Sequence, residues 1–158
     1  MIPTVNEPDT PAQPVVAPEA RLMNVVELCK SYRQVATQTA SPGQLVVMLY
    51  DAAVNSLERA MAGFEKDDPI EFNQTIHNNV TRAQDIINEL NSSLNMAAGG
   101  DFALTMRRLY DYMNRRLVES NLRKDPAGIR EVANRLTVLR DAWAEALRNQ
   151  PSLEQVSA

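Results

Sequence analysis

The stretch at residues 41–66 decides the fold, and it reads SPGQLVVMLYDAAVNSLERAMAGFEK. It opens with a helix start signal, in which Ser41 is the N-cap, Pro42 takes the first helical position and Gln44 reaches back to the cap. The apolar residues that follow recur at steps of three and four, which is the period of one helix face. They are Leu45, Met48, Leu49, Ala52, Leu57, Ala60, Met61 and Phe64. The stretch therefore predicts an amphipathic helix over residues 41–66.

Similar helix start and break signals divide the following residues into three further helices. Asp68-Pro69 and Asp125-Pro126 each place an acidic N-cap before a proline in the first turn. Gly99-Gly100 predicts a break, with Asp101 as the next N-cap. The predicted helices span 69–96, 101–124 and 126–149. Helices of similar length with short connectors pack antiparallel, so the sequence predicts an all-α fold, an antiparallel up-down four-helix bundle.

The residues before the first helix differ in composition from the rest. Five of the nine prolines fall in residues 1–18, which predicts a disordered proline-rich tail. Residues 19–37 carry a weaker apolar period that predicts a short N-terminal helix or cap against the bundle. The predicted organisation is a tail at 1–18, a cap segment at 19–37, the bundle at 38–150 and a flexible C-terminus at 151–158.

Length, charge and composition exclude several classes of protein. A chain of 158 residues fits one domain with a real core, and 44% hydrophobic with only 5% aromatic residues predicts an aliphatic core. A formal net charge of −4 argues against nucleic-acid binding, which needs clustered basic residues. The sequence contains no run of about 18 apolar residues, so it predicts no membrane-spanning helix. Residues Met1–Thr10 lack the pattern of a signal peptide. We therefore expect a cytoplasmic protein.

The sequence lacks the residue sets of common enzymes and cofactor sites. The single cysteine, Cys29, permits no internal disulfide, and the single histidine, His77, cannot build a di-iron bundle site. We expect no metal, no cofactor and no catalytic residue. One alternative stays open: a helical bundle with one helical histidine is also compatible with a histidine phosphotransfer protein. No lysine follows His77 on its own helix face within a turn, which argues against that reaction.

The apolar stripes are wider than one core seam requires. The residues outside the main lines are Val46, Val47, Tyr50, Val54, Ile86, Tyr112 and Val118. They predict grooves for amphipathic partner helices, and filling of the bundle's flanks is an equal alternative. A bundle without a catalytic group works through its surface, so the sequence favours a binding protein. A generic helical-bundle adaptor remains a second reading of the same pattern.

Four separated sequence blocks resemble the flagellar secretion chaperone FliS family. They are TASPGQL at 39–45 with MLYD at 48–51, AQDIINEL at 83–90, LYDYM at 109–113, and LRDAW at 139–143. They occur in the family's order and spacing, and the resemblance covers about residues 31–147.

The resemblance implies a function and a set of contact residues. It implies an export chaperone, not an enzyme, that binds the disordered C-terminal segment of flagellin, prevents premature polymerisation and delivers flagellin to the flagellar type III export gate. We expect a monomer when free and a one-to-one complex with flagellin. The residues predicted to contact flagellin are Tyr50, Ile86, Leu94 and Tyr112, with Leu90 and Met113 as positions where a core role is an equal alternative.

The resemblance also implies a role for the segment before the bundle. Family members carry an N-terminal segment that occupies the apolar groove until flagellin displaces it. Tyr32 matches the tyrosine found there, and Val25 belongs to the same apolar pattern. The sequence thus predicts a displaceable N-terminal cap.

Overall fold

Four α-helices make up the part of the chain that the computed structural model describes, residues 42–149. They are α1 (Pro42–Gly63), α2 (Pro69–Ser92), α3 (Met96–Arg123) and α4 (Pro126–Asn149). These residues contain no strand, so the all-α prediction is confirmed for them. The predicted tails at 1–18 and 151–158, the cap segment with Val25 and Tyr32, and the N-cap Ser41 lie outside the described residues.

Two of the predicted helix starts are confirmed by their hydrogen bonds. The Asp68 carboxylate accepts a hydrogen bond from the backbone N–H of Ile70 at 3.0 Å. The Asp125 carboxylate accepts one from the N–H of Ala127, also at 3.0 Å. Each side chain thus satisfies one of the amide donors that the first turn leaves without an intrahelical partner.

The sequence predicts the break at Gly99-Gly100 correctly, but it places the end of the preceding helix too late. Gly100 has φ 53° and ψ −131°, a non-helical conformation that only glycine adopts without strain, and two helical segments of α3 meet there at a kink. The segment before the kink begins at Met96, where the side chain of Asn95 accepts a hydrogen bond from the N–H of Ala98 and caps it. Helix α2 therefore ends at Ser92 and not at residue 96 as predicted.

The helices contact one another as neighbours around a shared core: α1 packs on α2 and α4, and α3 packs on α2 and α4. The core is aliphatic apart from two tyrosines, as the composition predicts. Its largest fully buried side chains include Tyr50, Leu57, Ile76, Ile86, Ile87, Met113, Leu117, Ile129 and Leu136.

Three of the side chains predicted to lie outside the core seam are in fact inside it. Tyr50 is 0% exposed, Ile86 1% and Val54 4%. The physical reason is that each helix packs against two neighbours and must bury a stripe about 100° wide, which includes positions flanking a single seam. Tyr112, by contrast, is half-buried and Val118 is exposed.

Helices α3 and α4 pack closely at Gly128. A Cβ atom built on Gly128 would overlap the Ser120 hydroxyl and would lie 3.1 Å from Cζ of Arg116. Ser120 is 1% exposed, and its Oγ has no hydrogen-bond partner. The side chains of Ser120 and Arg116 therefore occupy the space that a Cβ at position 128 would need.

No helix within residues 42–149 is long and apolar enough to cross a membrane.

Candidate partner-binding surface

An open cavity of about 340 Å³ lies at one end of the four helices. We call it the end pocket. Its lining comes from all four helices and from the α2–α3 connection: Val46, Leu90, Ser93, Leu94, Asn95, Ala98, Gly99, Phe102, Ala103, Tyr110 and Trp143. The pocket thus lies where the beginnings of α1 and α3 meet the ends of α2 and α4.

The walls of the end pocket are mainly apolar. Leu94 and Trp143 are half-buried, and Phe102 at the rim is 59% exposed. The polar side chains of the lining are engaged locally, since Ser93 Oγ donates to the carbonyl of Leu90 at 2.8 Å and Asn95 caps α3. A concave surface with apolar walls and few polar groups is the usual form of a binding pocket. It suits an apolar side chain of a partner.

Two buried tyrosines meet at the base of this pocket. The hydroxyl oxygens of Tyr50 and Tyr110 lie 2.5 Å apart and are hydrogen-bonded. Burial raises the pKa of Tyr50, against a smaller opposing effect of hydrogen bonds from Tyr110 and Trp143. Burial also raises the pKa of Tyr110, and the bond to Tyr50 raises it further. Both hydroxyls are therefore neutral and protonated at physiological pH.

The contact between α2 and α3 includes a line of hydrogen-bonded amide side chains, which we call the asparagine seam. Asn114 Nδ2 donates to Asn88 Oδ1 at 2.7 Å, and Asn91 Nδ2 donates to Asp111 Oδ1 at 3.1 Å. Gln84 Nε2 donates to the backbone carbonyl of Asn114 at 3.4 Å. The buried Oδ1 atoms of Asn91 and Asn114 have no hydrogen-bond partner. The seam is polar, in contrast to the apolar core behind it.

A second cavity, of about 430 Å³, lies on the outer face of α3. Its apolar lining residues are Val118, which is 48% exposed, and Leu122, which is 81% exposed. The other lining residues are Asn114, Arg115, Glu119 and Arg123. Basic and acidic side chains thus flank a short apolar strip, and this face is shallower and more charged than the end pocket.

Tyr112 belongs to neither cavity. Its hydroxyl donates to both carboxylate oxygens of Glu131 on α4, at 3.1 and 3.0 Å. Arg116 Nε lies 3.2 Å from the same carboxylate, and the guanidinium of Arg135 lies 5.3 Å from the centre of the Tyr112 ring. Tyr112 therefore links α3 to α4 through hydrogen bonds and a cation–π contact.

The structure brings together only some of the residues that the sequence predicts to contact flagellin. Leu90 and Leu94 line the end pocket together, and Tyr50 lies behind its wall through the bond to Tyr110. Ile86 and Met113 lie in the core and line neither of the two cavities described above. Sequence reasoning missed Phe102, Tyr110 and Trp143 as pocket residues, because their meeting depends on how α3 and α4 align. The one usable signal was the presence of Tyr110 and Trp143 in the resemblance blocks.

His77, the residue behind the phosphotransfer alternative, is exposed on α2. Asn121 Nδ2 lies 3.0 Å from His77 Nδ1, and Lys124 Nζ donates to Asn121 Oδ1 at 2.5 Å. The nearby lysine comes from the end of α3, which a search along α2 alone could not find. In residues 42–149 no three histidine, cysteine or carboxylate side chains are grouped to hold a metal ion.

Comparison with known proteins identifies similar chains over most of this length. The family model for the flagellar protein FliS matches residues 26–150. The flagellar secretion chaperone FliS of Bacillus subtilis strain 168 is 37% identical over 120 residues, which cover 76% of this chain and 86% of the relative. The protein of the same name from Salmonella typhimurium strain LT2 is 38% identical over 121 residues, covering 73% and 87%. The Escherichia coli K12 protein is 35% identical, covering 76% and 85%. These relatives are named as chaperones and not as enzymes.

Proposed function

The chain belongs to the FliS family of flagellar proteins, and from this membership we propose that it is an export chaperone that binds the disordered C-terminal segment of flagellin. The relatives' names supply the class of activity, secretion of a flagellar protein. The end pocket is the observation in this chain that carries the proposal. It is a concave apolar surface at the junction of four helices.

The chemistry of the pocket fits an amphipathic helix that forms on binding. A disordered segment with apolar residues at helical spacing folds when its apolar face finds a complementary groove. Ordering the segment costs roughly 2–5 kcal/mol of the contact energy. Because this cost lowers the net affinity, flagellin can still dissociate from a large interface. The apolar face covered in this way is the face that would pack in the filament, and covering it prevents premature polymerisation.

We further propose that the four helices form an antiparallel up-down bundle. Contacts between neighbouring helices support this, because their residue numbers run in opposite directions. Along α2 and α3, Asn91 meets Asp111 and His77 meets Asn121. Between α1 and α4 the arrangement is similar, since Arg140 Nη1 lies 3.0 Å from the Asp51 carboxylate and Leu147 lies against Gly43.

Direct contact with flagellin is proposed for Leu90 and Leu94, since both line the end pocket. Tyr50, Ile86 and Met113 are buried and support the walls from behind, so their contribution to binding is indirect. Tyr112 is half-buried and engaged with Glu131, so its part in binding is to hold α3 against α4.

The remaining steps of the proposed role concern the cell and the N-terminal segment. The chaperone is cytoplasmic, monomeric when free, and delivers flagellin to the export gate. Residues 22–36, including Val25 and Tyr32, cover the apolar groove until flagellin displaces them. Deleting residues 22–36 is expected to raise the flagellin association rate, measured by stopped-flow fluorescence, while circular dichroism stays unchanged. An unchanged rate would reject the cap.

The proposed function is tested by isothermal titration calorimetry with a peptide of the C-terminal segment of flagellin from the same organism. The expected result is one-to-one binding with a negative heat-capacity change, because apolar surface is buried and the peptide folds. A flagellin peptide from the N-terminal end serves as control. Absence of binding by the folded full chain, or equal binding of both peptides, would reject the proposal.

A further inference from the structure

The wall that α3 contributes to the end pocket is interrupted by the kink at Gly100. Gly99 lines the pocket from before the kink, and Ala103 lines it from after the kink. The turn before the kink comprises residues 95–99, with Asn95 as its cap, and we call it the lid. The position of the lid sets the shape of the pocket on this side.

The kink bends α3 toward the pocket. A Cβ atom built at Gly99 would lie 2.6 Å from the Cβ of Ala103. In a straight helix, Cβ atoms four residues apart lie about 5–6 Å from each other. The inside of the bend is therefore the face of Gly99 and Ala103, which is the face that lines the pocket. Because these two residues already meet, the lid has no room to lean further, and the structure shows its closed position.

The lid is not anchored in the hydrophobic core. Residues 93–100 contain no buried side chain, whereas α3 after the kink is held by buried side chains such as Met106. The lid keeps its own shape, since the N–H of Gly99 donates to the Asn95 carbonyl at 2.7 Å and that of Ala98 to the Asn95 side chain at 3.0 Å. A segment with little buried surface moves at a low cost in free energy. The lid can therefore turn as one unit.

Gly100 supplies the joint for this movement. Its φ of 53° and ψ of −131° are free of strain only for glycine. A Cβ atom built at Gly100 meets no side chain of residues 42–149 within 4 Å apart from those of its chain neighbours. Glycine is thus needed here for its backbone and not for space. It has access to a wider range of φ and ψ than any other residue, so the lid can swing away from the pocket and return.

We propose that the lid turns about Gly100 and closes on the flagellin segment that occupies the end pocket. The inference rests on the proposed function and adds two positioning residues to it. Gly100 is the joint, and Gly99 permits the closed position by leaving room beside Ala103. The open lid admits an apolar side chain, and closure removes part of its surface from water, which slows its dissociation.

The variant Gly99→Ala tests the closed position. Its added methyl group meets the Ala103 Cβ and holds the lid open. The flagellin C-terminal peptide is therefore expected to dissociate at least about fivefold faster, the lower limit of an overpacking cost. The association rate is expected to stay within about twofold of wild type, because closure follows the encounter. Stopped-flow measurement of Trp143 fluorescence gives both rates, since the chain's single tryptophan lines the pocket.

A compensating variant and a matched control separate closure from other effects of the added methyl group. Gly99→Ala/Ala103→Gly removes the obstructing methyl group and is expected to regain most of the lost affinity. The control is Ala97→Ser, because Ala97 is exposed on the lid and lies outside the pocket lining. Both of its rates are expected to match those of the wild type.

Urea unfolding distinguishes a positioning role from a structural one. The free energy of unfolding of Gly99→Ala is expected not to fall, because the lid lies outside the core. Gly100→Ala provides a second variant if Gly99→Ala does not fold, as judged by circular dichroism. It disfavours the positive φ of the closed position and is also expected to speed dissociation.

Three results would overturn the inference while the proposed function stands. They are an unchanged dissociation rate in folded Gly99→Ala and Gly100→Ala, a loss of affinity that Ala103→Gly does not reverse, and a fall in stability that accompanies the fall in affinity. Failure of the wild type to bind the peptide would overturn both.

Discussion

Replacing Gly128 by alanine tests the close crossing of α3 and α4. The new Cβ would overlap the Ser120 hydroxyl, and it would crowd the guanidinium of Arg116, whose Nε pairs with Glu131 at 3.2 Å. Ser120 is buried, so its hydroxyl has little space to move aside. We therefore expect the alanine to push the two helices apart and to lower the free energy of unfolding.

The size of the loss follows from two opposing effects. Overpacking a well-packed site costs about 1–3 kcal/mol. Alanine favours a helix over glycine by at most about 1 kcal/mol, and less here, since Gly128 lies in the first turn of α4. The net expectation is a loss of about 1–2 kcal/mol, equivalent to a decrease in Tm of roughly 4–8 °C for a domain of this size.

The assay is urea unfolding of four proteins: wild type, Gly128→Ala, Ser120→Ala and the double variant. The Ser120 Oγ has no hydrogen-bond partner, so Ser120→Ala should change stability by less than about 0.5 kcal/mol. In the double variant the overlapping atom is gone, and stability should return to the wild-type value or exceed it. Additive losses in this cycle, or a Gly128→Ala protein as stable as wild type, would refute a steric cause.

Three further changes test other parts of the description. Burial raises the pKa values of Tyr50 and Tyr110 above the unfolded value of 10.0. Their contribution to stability is therefore complete below about pH 10 and is lost as the pH rises further. Thermal unfolding between about pH 8 and 11 should show a decline in Tm that is smaller in the variant Tyr50→Phe/Tyr110→Phe. Leu94→Glu places a charge in the end pocket and should weaken flagellin-peptide binding more than tenfold, since an unpaired charge there loses its hydration. The control Val138→Glu, at a site 68% exposed and outside the described cavities, should leave the affinity unchanged. Equal affinities of the two variants in calorimetry would contradict a role of the pocket in binding. Arg140→Ala removes the half-exposed ion pair between α4 and α1 and should lower the free energy of unfolding by less than about 1 kcal/mol. Urea unfolding should show that this difference shrinks at high salt. A larger loss would show that solvent does not screen the pair.

The sequence predicted the features that local chemistry controls. Asp68 and Asp125 cap helices as their acid–proline pairs indicate, because capping involves only neighbouring residues. The break at Gly99-Gly100 was also predicted, because the positive φ of Gly100 is a local property of glycine. The sequence did not predict the short helical segment before it, which the Asn95 side chain caps, because the apolar period of α2 continues beyond its end at Ser92.

The candidate site was less predictable because it depends on how helices meet. Leu94 was selected as a contact residue from the family resemblance, and it does line the end pocket. Tyr50 was selected in the same way but is buried, since α1 packs against two neighbours. Its bond to Tyr110 joins residues 60 positions apart. No periodic pattern in one helix reports such a pairing.

The asparagine seam has a consequence for how uniquely this chain folds. A core of Leu, Ile and Met alone tolerates sliding, because flexible apolar side chains repack with small losses. Displacing α3 along α2 by one turn, 5.4 Å, would separate Asn114 from Asn88 and Asn91 from Asp111. Both bonds are exposed to solvent, so losing each would cost about 0.5–1.5 kcal/mol, the net value of an intramolecular hydrogen bond. The two pairs therefore add a modest preference for the native alignment over its shifted competitors.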